Sequence, residues 1–126
     1  MPKKITPEEL EALKAANPKT AGSNRKHGIV LLHALLDDAP AADADDFVFK
    51  VPTRALWVQY RGNLKMALSG RGPADYASVL AKNCLLFPSA AEFEALRERA
   101  PAVTEEFGEI LANTADDGMS VIEGKL

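Results

Sequence analysis

Phe47-Val48-Phe49-Lys50-Val51-Pro52-Thr53-Arg54-Ala55, residues 47–55, decides how this chain is read. Phe47–Val51 is dense in aromatic and β-branched residues, which suit a half-buried pleated surface. Pro52 ends that run, because proline lacks the N–H a central strand needs. Thr53 then stands where a helix cap is wanted, and the apolar positions that follow (Leu56, Tyr60, Leu64, Leu68) recur every four residues, a helical stripe. A strand therefore passes into a helix within two residues.

Working back from the strand, Asp37–Asp46 is an acidic loop containing alanine and proline, preceded by the apolar run Ile29–Leu36. Over so few residues, periodicity alone separates neither a strand nor a buried helix. The β-branched start and the partner available at Phe47–Val51 favour an antiparallel hairpin. Such a hairpin is marginal in water and must lean on helices or on another chain. Before it, Thr6, Pro7 and Glu9 form a capping box with a preset first turn, so a helix is expected over Pro7–Ala16, with Leu10 and Leu13 on its narrow apolar side. Asn17-Pro18 stops it. Lys19–Asn24 reads as a linker, which makes the first helix detachable from the core.

Working forward, Ser69–Pro73 is a turn. A helix over Ala74–Phe87 carries Tyr76, Val79, Leu80, Cys84 and Phe87 at three/four spacing. Pro88-Ser89 breaks it, and Ser89 with Glu92 makes a second capping box for a helix that faces Phe93, Leu96 and Ala100 inward. After Pro101 a last helix, about Ala102–Thr114, turns Val103, Phe107, Ile110 and Leu111 inward, and Asp117-Gly118 closes it. The expected fold is α+β: a small antiparallel β-hairpin on a bundle of three to four helices, with a short N-terminal helix; an all-α fold is the alternative. The expected organisation is 1–24 as capped helix and linker, 25–114 as a single α+β domain, and 115–126 as an acidic flexible tail.

Composition sets broad limits. With 126 residues, 47% hydrophobic and 26% charged, the chain has the makeup of one globular domain. A domain of this size buries roughly two-thirds of its unfolded surface. The net charge of −3 runs against a generic phosphate-backbone binder. It is unevenly spread: +3 over residues 1–36, −4 over 37–53, +3 over 54–101 and −5 over 102–126. The acidic end is a solvated terminus or faces a basic partner, including a neighbour in a homo-oligomer. One cysteine gives no internal disulfide, no apolar run reaches the ~20 residues of a membrane span, and the start is not that of a signal peptide, so a cytoplasmic protein without membrane attachment is expected.

No enzyme is expected from the motifs. The carboxylates Asp37, Asp38, Asp43, Asp45 and Asp46 lack the glycine and bidentate Glu of a calcium loop. Cys84, His27 and His33 are too few for zinc. Cys84 sits beside Leu85-Leu86-Phe87 and reads as a small hydrophobe rather than a nucleophile. Ser69-Gly70-Arg71-Gly72 lacks the ending of a phosphate loop. No metal or cofactor is expected. Arg54, Arg61 and Lys65 share one helix face, extended by Arg71 and flanked by Trp57 and Tyr60; this is a nucleic-acid surface in one reading and a solvated helix face in the other. Trp57 lies at the edge of the inward stripe, as a core cap or an interface anchor. Met119, Val121 and Ile122 are apolar residues in a polar tail, a docking strip or a loose end.

The order strand, Lys50-Val51-Pro52-Thr53-Arg54-Ala55, helix is followed by Asn83-Cys84-Leu85-Leu86-Phe87-Pro88-Ser89, by Phe93-Glu94-Ala95-Leu96, and by Ala100-Pro101-Ala102-Val103 through Phe107-Gly108-Glu109-Ile110-Leu111. Over residues 46–114 this resembles small tail assembly chaperones and related tail-associated proteins of long-tailed bacteriophages and prophages. The N-terminal helix and linker depart from that pattern. The resemblance implies a non-enzymatic protein of the bacterial host cytoplasm. Its partner would be the tape measure protein, kept soluble during tail assembly. The alternatives are a structural tail component retained in the virion and a small nucleic-acid-binding regulator using Arg54, Arg61 and Lys65. Trp57, Met119, Val121 and Ile122 are the candidate partner-binding residues; no catalytic residue is implied.

Overall fold

The computed structural model describes residues 2–126. Among the described residues the chain forms five α-helices and a three-stranded antiparallel sheet, an α+β fold with about 50% helix and 12% strand. The elements run α1 (Pro7–Ala16), β1 (Ile29–Ala34), β2 (Asp45–Lys50), α2 (Arg54–Leu68), α3 (Tyr76–Cys84), β3 (Leu85–Phe87), α4 (Ala90–Arg99) and α5 (Pro101–Asn113). The sheet order is β1-β2-β3.

The hairpin pairs Ile29 with Lys50 and Ala34 with Asp45, and the Val51 N–H continues the ladder by donating to the Gly28 carbonyl at 2.9 Å. The strand thus begins two residues earlier than the sequence suggests, and Asp45 and Asp46 belong to it rather than to the loop. Alternation sends Phe47 and Phe49 to one face, where they pack with Leu80, Ala81, Cys84, Phe93, Leu96, Phe107 and Leu111. Phe107 meets both phenylalanines, with ring centroids 5.1 Å from Phe47 and 5.3 Å from Phe49. Leu56 and Tyr60 of α2 pack against the margin of this core.

The sheet has a third strand where a continuous helix was expected. Ala74–Phe87 is split: α3 ends at Cys84, Leu85 is extended, and Leu85–Phe87 pairs with β2 across a bulge. Three apolar residues carry no period of their own. The free edge of β2 supplies the hydrogen bonds that the last helical turn would have made, and Pro88 biases Phe87 toward extended backbone. Two inward assignments also fail: Leu68 is 81% exposed at the end of α2, and Ile110 lies on the solvent side of α5.

The caps stand as the sequence specifies. Thr6 and Ser89 each form a full capping box, the Thr53 hydroxyl accepts from the Leu56 N–H, and Pro101 opens α5. Helices α3 and α5 approach so closely that a Cβ at Gly108 would meet the backbone of Ala77. Beside that contact the buried Ser78 hydroxyl lies 2.8 Å from Thr104 Oγ1, which itself donates to the Pro101 carbonyl. Arg97 of α4 pairs with Asp75 and Glu94, and Lys82 of α3 reaches Glu94 at 2.8 Å.

The segment 2–24 is fastened to the rest. The Ile5 N–H donates to Asp46 Oδ2 (3.0 Å), the Asp46 N–H donates to the Lys3 carbonyl (2.7 Å), and Lys3 Nζ pairs with Glu92. At the other end, Asn17 and Pro18 press so closely on Gly28 that a Cβ there would overlap their carbonyl oxygens. Asp46 and Gly28 mark opposite ends of the hairpin, so α1, about 15 Å long, runs between two anchors, the first of them on the face away from Phe47 and Phe49. Val48 points to that face and is fully buried. The linker is tied as well: the Ser23 hydroxyl and the Asn24 N–H both donate to the Asp117 carboxylate, at 2.6 and 2.9 Å.

Candidate functional site

The four residues singled out as partner-binding fall on two separate surfaces. Trp57 is half-buried on α2, with the Arg61 guanidinium 5.5 Å from its ring centroid, a cation–π pair one turn apart. Met119, Val121 and Ile122 lie beyond the last helical turn, at 67%, 99% and 89% exposure. A side chain as exposed as Val121 touches nothing, so the strip is not joined to Trp57.

Helix α2 contains no fully buried residue and no acidic one. Arg54, Arg61 and Lys65 are exposed and lie within about 40° of one another around its axis. The aromatics beside them are engaged inside the chain: Arg61 covers Trp57, and Tyr60 meets Tyr76 edge-on at 5.6 Å. Burial raises the Tyr60 hydroxyl pKa, with Tyr76 and Glu109 adding to it.

The other reactive side chains sit as follows. Cys84 is fully buried, and burial pushes its thiol up to about 11. His33 is half-exposed, its Nδ1 2.8 Å from Asp46 Oδ1, while His27 precedes β1 and lines a cavity. Among the described residues, no three His, Cys, Asp or Glu side chains are grouped to hold a metal, and no helix is long and apolar enough to cross a membrane.

That cavity, of about 440 Å³, is the feature the sequence did not reveal. Three separate segments wall it: the linker Asn17–Gly28, the end of β2 with Pro52 and Thr53, and the turn after α5. Lys19, Arg25, His27 and Lys50 contribute to its lining, against one carboxylate, Asp117. The Ser23 hydroxyl and the Asn24 N–H hold the Asp117 carboxyl below its ordinary pKa, with Arg25 and Lys19 assisting by charge. Arg25 Nε is buried without a hydrogen-bond partner. The positive end of α2 opens at Thr53, on the same wall.

No protein-family model matches this chain, and neither a curated protein nor a solved structure matches it.

Proposed function

We propose that the chain is a non-enzymatic, protein-binding assembly factor, of the kind that keeps a phage tape measure protein soluble in the host cytoplasm while the tail is built. The observation that carries this reading is the exposed strip Met119, Val121 and Ile122, held outside the packed domain on an acidic segment. Apolar side chains spaced along an extended tail suit weak contacts with an aggregation-prone helical client. The tape measure as client comes from the resemblance over residues 46–114. Many copies coating one long client need only modest affinity each, because linked sites gain avidity. The acidic surroundings keep the coated complex soluble.

A structural tail component retained in the virion uses the same surfaces, and mass spectrometry of mature particles separates it from a chaperone, which would be missing there. The nucleic-acid reading is the weaker one, since Arg61 already covers Trp57 and Tyr60 packs on Tyr76. Co-expression with the tape measure protein tests the proposal: a soluble complex supports it. A tape measure that stays insoluble and does not co-purify overturns it.

A further inference from the structure

We infer that the cavity between the linker Asn17–Gly28, the end of β2 and the turn after α5 is a binding site for a phosphate group, free or carried by a small molecule such as a nucleotide. Its volume of about 440 Å³ is within the range of small-ligand pockets. Lys19, Arg25 and His27 of the linker and Lys50 at the end of β2 line it, two stretches of chain that only the fold brings together. One carboxylate opposes them, and Asp117 is already occupied by the Ser23 hydroxyl and the Asn24 N–H.

The arrangement suits a tetrahedral dianion better than a lone carboxylate. Cations on two walls match oxygens that point in several directions, and arginine binds phosphate through its planar fork. Helix α2 adds the positive end of its dipole at Thr53, with no acidic residue in its first turn to cancel it. Thr20 and Thr53 add polar residues to the lining. Arg25, itself half-buried, has its Nε buried without a partner, and a neighbouring anion offsets the cost of that unpaired donor. The site lies opposite in character to the apolar tail strip and is independent of the assembly role.

Titration of the full chain with inorganic phosphate, with adenosine monophosphate and with acetate, followed by two-dimensional amide NMR, tests this site. Phosphate and the nucleotide are expected to shift the amides of Ser23, Gly28 and Thr53, with acetate at least about tenfold weaker. Equal affinity for the first two identifies the free ion as the ligand; tighter nucleotide binding identifies a carried phosphoryl group. Arg25→Gln and Lys50→Gln should each weaken binding by about tenfold or more, and Lys65→Gln on the outer face of α2 should leave it unchanged. Absence of shifts at these amides in the unsubstituted chain, or equal shifts with acetate, overturns the assignment.

Discussion

A Cβ placed on Gly108 would lie 1.8 Å from the carbonyl oxygen of Ala77, so α3 and α5 touch backbone to backbone at that point. Only glycine allows this approach, and it seats Phe107 and Leu111 of α5 against the two phenylalanines of β2. Gly108→Ala should therefore push the helices apart and destabilise the fold by about 3 kcal/mol, the upper end of overpacking effects. Urea unfolding checks it. Gly62→Ala, where the added Cβ meets nothing within 4 Å, is the control and should stabilise slightly through helix propensity.

The same interface contains an ordered pair of hydroxyls, and the direction of its hydrogen bonds makes the two partners unequal. Thr104 Oγ1 donates to the Pro101 carbonyl and so accepts from Ser78. Ser78→Ala removes one donor and leaves Thr104 with its carbonyl, a loss of about 1 kcal/mol. Thr104→Val strands the Ser78 hydroxyl in a fully buried position and should cost about 2 kcal/mol. Equal losses in the two variants would contradict this direction.

These helices also show what was legible in the sequence. Both capping boxes, the Thr53 cap and the Pro101 start are local signals, written within four residues, and each stands where it was read. The hairpin was legible from Phe47–Val51 because aromatic and β-branched residues concentrate there and end at Pro52. Strand β3 was not, since Leu85-Leu86-Phe87 extends the apolar spacing of α3 and becomes a strand only by meeting the free edge of β2. Asp45 and Asp46 read as loop charge, although they fasten the N-terminal segment through the Lys3 and Ile5 N–H groups. The cavity was invisible for the same reason: Arg25, Lys50 and Asp117 are far apart in sequence and meet only through tertiary packing.

Acid should loosen the linker before it unfolds the core. The Asp117 carboxyl titrates below its ordinary value of 3.8, because the Ser23 hydroxyl and the Asn24 N–H bind its charged form. A carboxylate lowered in the folded state contributes its full stabilisation above the unfolded pKa, and that contribution disappears as pH falls through the folded value. Backbone order parameters of residues 19–24 should therefore drop as pH falls below 3.8. Asp117→Asn should show the loosened linker already at neutral pH, with no further acid step there. A linker whose order is unaffected by either change would contradict this tie.

The central claim rests on the tail strip, whose side chains the fold leaves in solvent. The measurement that tests it most directly is the amount of soluble tape measure protein recovered when it is co-expressed with the full chain and with the combined variant Met119→Ser, Val121→Ser, Ile122→Ser. Because the three residues lie outside the packed domain, the variant should fold normally, and its unchanged melting temperature confirms that. The account predicts a soluble complex with the unsubstituted chain and loss of most of that complex with the variant. Failure of the unsubstituted chain to solubilise or co-purify the tape measure protein contradicts the chaperone role; full recovery with the variant contradicts the place of the strip in it.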